Sequence, residues 1–222
     1  MQADFWLQCW REGHIGFHLK EPLPLLIKHW PDLDLPADSR VFVPLCGKSP
    51  DMAWLVAHGY RVLGVELSPI AVEQFFDEHG LAPERHATPF GTRYTTDRID
   101  IIQGDVFGLD AATLASCTGV YDRAAVVALP ADLRQRYAHE VYGKLPAGCR
   151  GLMVTLEYPQ REMDGPPFSV EEGDVEALLG HAWDTSVLDR RDILASEPKF
   201  RARGLSAFHT AVYRLSRRAV SP

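Results

Sequence analysis

Hydrophobic and polar positions along the chain fall into two periods. Residues 40–45 (RVFVPL) and 61–67 (RVLGVEL) are short apolar runs rich in β-branched residues, as expected of strands buried on both faces. Each is followed by a serine and a proline, Ser49-Pro50 and Ser68-Pro69, which supply a cap and a first-turn residue for a helix. The helical segments that follow stop at Gly59 and Gly80. Strand–helix–strand–helix in close succession predicts a parallel sheet with right-handed crossovers.

The rest of the chain continues the alternation. Residues 23–30 read as a short amphipathic helix and 31–39, with three aspartates and two prolines, as a loop. Residues 92–107 suggest a strand pair with Ile99, Ile101 and Ile102 entering the core, and 119–129 a strand with its C-terminal loop. A helix over 131–145, a strand over 149–157, a helix over 169–179 and two antiparallel strands over 185–194 and 205–215 complete the pattern. This is an α/β sandwich with an antiparallel edge. No repeat, low-complexity tract or linker interrupts it, so a single domain over 1–222 is expected, with residues 1–39 as a cover segment.

Composition narrows the function. With 222 residues, 46% hydrophobic and 24% charged, the chain can bury a core without staples. Lys and Arg total 23 against 30 Asp and Glu, a net charge of −7, which disfavours nucleic acid as a partner. The basic residues at 199–203 and 217–218 read as a solvated rim. Cys9, Cys46, Cys117 and Cys149 are scattered, with neither disulfide-framework nor zinc-ligand spacing. No run of 18 apolar residues and no signal-peptide core occur, so the expected compartment is the cytoplasm, away from membrane.

Candidate chemistry concentrates at residues 41–49 (VFVPLCGKS). A small-residue turn between the first strand and its helix lets backbone N–H groups approach a ligand closely. The Gly-Lys-Ser ending does not make a phosphate loop, because that motif needs glycine where Phe42 stands. The dinucleotide pattern fails too, since Gly47 is the turn's only glycine. Taken alone, an ordinary strand–helix turn is the favoured reading. Glu66 raises the turn above it: it closes the second strand, nineteen residues after Gly47, where an acidic residue binds ribose hydroxyls in doubly wound sheets. Asp105, just after the isoleucine-rich strand, could meet an adenine edge. Three such elements at consecutive strand ends point to an adenosine-containing ligand.

VFVPLCGKSPDMAWLVAHGYRVLGVELS, together with YDRAAVVALP and GPPFSV downstream, resembles the thiopurine S-methyltransferase family, as in its bacterial members. The resemblance runs from FWLQCW to about Tyr213, and PLCGKS in place of a multi-glycine loop is its specific mark. It implies the class I methyltransferase fold, a doubly wound, seven-stranded, mostly parallel sheet with an antiparallel C-terminal strand. It also implies S-adenosyl-L-methionine as cofactor, S-adenosyl-L-homocysteine as product, and no metal. By the same resemblance Trp10, Leu45, Glu66, Asp105, Val106 and Arg123 contact the cofactor, beside Gly47 of the turn. Phe17 contacts the acceptor ring, Arg123 serves catalysis and the acceptor, and Lys199 or Arg201 lines the acceptor wall. The Pro166-Pro167-Phe168 loop rims the pocket. Trp6 reads as a hydrophobic staple, His18 as a hydrogen-bonded loop residue and Asp122 as an ion-pair partner for Arg123.

The implied reaction is in-line methyl transfer to the sulfur of a small thiol acceptor, a thiopurine or related heterocycle, by a monomer. Bacterial relatives extend the acceptors to selenium and tellurium compounds. Cys46 is rejected as a nucleophile, since direct transfer needs no covalent enzyme intermediate. Two alternatives stay open: a non-catalytic adenosyl-binding module, and a nucleotide-dependent oxidoreductase on a similar sheet.

Overall fold

A computed structural model describes residues 3–219. Two helices, α1 (Ala3–Glu12) and α2 (Pro24–His29), precede the first crossover units: β1 (Arg40–Pro44), α3 (Pro50–Ala57), β2 (Arg61–Glu66) and α4 (Pro69–Glu78). There follow β3 (Glu84–Thr88), β4 (Gly91–Thr95), β5 (Ile99–Gln103), α5 (Ala111–Leu114), β6 (Cys117–Arg123), α6 (Ala131–Glu140) and β7 (Arg150–Glu157). The chain closes with α7 (Glu172–Leu179), β8 (Trp183–Asp192), α8 (Pro198–Ala202) and β9 (His209–Arg217). The described strands form one sheet in the order β3-β4-β5-β2-β1-β6-β7-β9-β8.

The alternation of side chains along each strand sorts the apolar residues into two cores, one on each face. Phe42, Leu63, Val65, Val120 and Met153 join one layer with Tyr137 of α6 and Val175 of α7. Val41, Val43, Val62, Tyr121 and Leu152 join the other with Leu26 of α2, Leu55 of α3 and Phe75 of α4. Helices therefore cover both faces, and β5, β2, β1, β6 and β7 run parallel at the centre. Against them β9 runs antiparallel, paired with β7 and β8.

The doubly wound, mostly parallel sheet is as expected, but the strand number differs from seven. Nine strands are described, because a hairpin, β3–β4, extends the β5 edge. The pair expected over 92–107 is β4 and β5; β3 went unseen because most of its residues are exposed on both faces, leaving no apolar alternation to detect. The helix expected over 131–145 ends at Glu140, and a 3-10 turn, Tyr142–Lys144, finishes the connection. The short helix α8 between the last two strands was also not anticipated.

Candidate active site

β1 lies between β2 and β6, where the chain's winding direction reverses, and the crevice above the strand ends is the usual ligand position in such sheets. Four neighbouring strand ends carry the expected residues: Asp105 and Val106 beyond β5, Glu66 on β2, Leu45 and Gly47 beyond β1, and Arg123 on β6.

The turn after β1 is bent by two left-handed residues, Leu45 (φ 46°) and Gly47 (φ 52°). For leucine this conformation costs about 1–2 kcal/mol, so the surroundings must enforce it. Cys46 N–H donates to Val65 O at 2.9 Å, and Ser49 caps α3 by accepting from Asp51 N–H at 3.3 Å. Gly64 lets this turn sit down on β2: a Cβ there would lie 2.8 Å from Cys46 Sγ. Gly47 N–H then donates to Glu66 Oε2 at 2.8 Å, while Ser68 N–H donates to Oε1 at 2.7 Å. Burial raises the Glu66 carboxyl above its usual range, against the lowering effect of those amides. Each oxygen keeps accepting capacity beyond its one backbone amide.

The N-terminal segment packs against this turn through Trp10. A Cβ at residue 47 would lie 3.2 Å from Trp10 Cζ2, so the indole rests on a surface that only glycine leaves free. Trp10 and Phe17 meet edge to face at 5.8 Å between centroids, and Trp6 meets Phe17 at 5.5 Å. The buried Trp6 Nε1 has no hydrogen-bond partner among the described residues. Lys199, exposed on α8, donates to Gly16 O at 3.2 Å, next to Phe17. Burial and the Lys48 cation, with Arg123 adding to them against Glu78, hold the His18 imidazole below its ordinary value.

Arg123 ends β6, half-buried, and the following Ala124 is left-handed at φ 64°. No hydrogen bond or ion pair ties its guanidinium to another described residue. The pairing expected with Asp122 does not form, because neighbouring strand residues face opposite sides of the sheet. Asp122 instead points into the core and accepts from Tyr137 OH (2.8 Å), Tyr142 OH (3.0 Å) and Val126 N–H (3.1 Å). Asp105 is exposed and caps the short turn that follows it, accepting from Phe107 N–H at 3.0 Å, while Val106 is buried. The Pro166-Pro167-Phe168 loop is held against the segment after Arg123, through Phe168 N–H to Val127 O at 2.7 Å.

Lys48 was missed as a site element: its ammonium is buried against Glu78 at 2.5 Å. Its only signal in the sequence is a lone lysine between the glycine of the turn and the Ser49 helix cap. Cys46 is buried, and burial with the Glu66 charge pushes its thiol well up, which suits a packing role. The described residues contain no group of three or more His, Cys, Asp or Glu placed to hold a metal, and no helix long and apolar enough to cross a membrane.

The family model for thiopurine S-methyltransferase matches residues 1–218. The chain belongs to the thiopurine S-methyltransferase family. A thiopurine S-methyltransferase of Xanthomonas axonopodis pv. citri (strain 306) is 61% identical over 218 residues, 98% of this chain and all of the relative. The fold agrees with more distant solved structures. One, from work on the conversion of a disulfide bond into a thioacetal group during echinomycin biosynthesis, superposes with a TM-score of 0.70 at 16% identity, covering 99% of this chain and 93% of the other. Another is the Burkholderia thailandensis 1,6-didemethyltoxoflavin-N1-methyltransferase with bound 1,6-didemethyltoxoflavin and S-adenosylhomocysteine, with a TM-score of 0.63 at 18% identity, covering 96% of this chain and 87% of the other. As a thiopurine S-methyltransferase family member, the chain is an S-adenosylmethionine-dependent methyltransferase.

Proposed function

We propose that this chain transfers the methyl group of S-adenosylmethionine to the sulfur of thiopurine-like aromatic or heterocyclic thiols. The observation that carries the reading is the set of groups at three neighbouring strand ends: a buried carboxylate on β2, a glycine turn under an indole after β1, and on β6 a guanidinium with no acidic partner among the described residues. The donor set fits the adenosyl group: Glu66 has capacity to accept from vicinal hydroxyls, and Gly47 lets the Trp10 indole pack directly on the turn beside it. Leu45 offers backbone groups at the turn, and Val106, with Asp105 beside it, flanks the adenine position.

When bound, S-adenosylmethionine supplies a methyl group already activated by its sulfonium. The protein's share is alignment and exclusion of water. Trp10 and Phe17 form the aromatic lid, and Lys199 fixes the lid's loop through Gly16. Arg123 holds the acceptor sulfur as its anion, because a guanidinium stays charged and favours ionised partners. The same reading takes the chain as a cytoplasmic monomer acting on a small molecule, with residues 1–39 as the cover.

Labelled S-adenosylmethionine offered with thiopurines, aliphatic thiols, selenite and tellurite tests this directly. Heterocyclic thiols should be labelled best. Replacing Arg123 by alanine should lower kcat/KM about a hundredfold and move the pH–rate profile upward, since the sulfur must then ionise unaided. An unchanged profile would remove Arg123 from the mechanism, and failure to bind S-adenosylhomocysteine would overturn the whole reading.

A further inference from the structure

Lys48 is the one charged residue of the turn 45–49. Its side chain is only 10% exposed, and Nζ lies 2.5 Å from Oε1 of Glu78, the last residue of α4, whose side chain is 47% exposed. A buried ammonium matched to one carboxylate gains little stability, because desolvation offsets the attraction; what such a pair can supply is a fixed geometry. Here that geometry joins two crossover units. The turn belongs to the β1–α3 unit and Glu78 to the β2–α4 unit. The neighbouring Gly47 is already tied to β2 through its N–H bond to Glu66 Oε2. The cover segment meets the same place, since α1 packs on α4 and the His18 imidazole lies in the field of Lys48, Glu78 and Arg123.

We propose that the Lys48–Glu78 pair is a brace that positions the turn 45–49, and with it the Gly47 N–H and Glu66 carboxylate, for the adenosyl group. Lys48 and Glu78 are positioning residues, acting through Gly47 and Glu66. With the brace cut, the turn keeps its ties to β2, Cys46 N–H to Val65 O and Gly47 N–H to Glu66 Oε2, but loses its side-chain tie to α4. Binding must then order a turn that the intact protein holds in advance. The inference rests on the proposed adenosyl site.

The test uses S-adenosylhomocysteine binding by calorimetry and hydrogen exchange of the Gly47 amide in the ligand-free protein, alongside thermal melting. Lys48→Met leaves Glu78 half-exposed in water, so the fold should persist. Its affinity should fall about tenfold, and Gly47 should exchange faster. Lys48→Arg, which keeps the cation, should retain affinity and exchange close to the original. Glu78→Gln should weaken binding in the same way as Lys48→Met. The brace is overturned if both Lys48→Met and Glu78→Gln bind as tightly as the unaltered protein with unchanged Gly47 exchange. It is equally overturned if lost affinity only follows lost melting temperature and Lys48→Arg restores nothing. An unaltered protein that fails to bind at all would strike the proposed function instead, which separates the two failures.

Discussion

Two buried carboxylates, Glu66 at the end of β2 and Asp122 near the end of β6, occupy similar places in neighbouring parts of the sheet and are used differently. Both are pushed upward by burial, and both are held by hydrogen-bond donors. Glu66 receives backbone amides only, from the turn after β1 and from the start of α4. Asp122 receives two tyrosine hydroxyls as well, from the α6 region on the far side of the core. Backbone amides leave Glu66 in the crevice with accepting capacity to spare. The tyrosines instead draw Asp122 into the core, where it anchors the turn that follows Arg123 through Val126 N–H. The same chemical group thus keeps free accepting capacity where only backbone amides hold it, and is committed to the fold where side-chain hydroxyls hold it as well.

The sharpest way to break this contrast is Asp122→Ala, which strands two buried hydroxyls and an amide. It should cost about 3–5 kcal/mol of stability, read from urea unfolding. Glu66→Gln keeps the shape but replaces one acceptor oxygen by an NH2 group facing an N–H donor. Its main effect should be on binding, with S-adenosylhomocysteine affinity reduced about tenfold to a hundredfold by calorimetry. If Glu66→Gln unfolds the protein and Asp122→Ala does not, the division of roles is reversed. Gly47→Ala places a methyl 3.2 Å from the Trp10 ring on a left-handed backbone. It should cost about 1–2 kcal/mol in thermal melting and weaken binding as the indole is displaced.

The smallest effect is one of pH. The folded state holds His18 below the ordinary imidazole value of 6.5, so the unfolded chain takes up its proton first as pH falls. The contribution of His18 to stability is therefore complete above 6.5 and is lost progressively below it, down to the depressed native value. Melting followed against pH should show this slope, and His18→Gln should flatten it. An unchanged slope would place the imidazole in water, outside the cover's contacts.

Much of the crevice was legible because it is built from local signals. The Ser-Pro helix starts, the single glycine of the turn and the acid nineteen residues later each declare themselves within one crossover unit. Asp105 shows what such reading leaves out: its carboxylate also caps the short turn that follows it, accepting from Phe107 N–H. The expected Asp122–Arg123 pair failed because adjacent strand residues point apart, a fact sequence proximity hides. β3 was invisible because a strand exposed on both faces carries no alternation.

By itself, then, the sequence determined the order of the strand–helix units at the centre of the sheet, the bend after β1, the placing of Glu66 beside it and the resemblance that leads to S-adenosylmethionine. These depend on neighbours a few residues apart or on one strand–helix repeat. Only the tertiary structure decided which charges are spent and which remain available: Lys48 on Glu78, thirty residues away, Asp122 on Tyr137 and Tyr142, and Arg123 left without a described partner. Pairing of buried charges is set by which face of the sheet each side chain meets and by how far it leaves water. Neither quantity exists until the layers have closed.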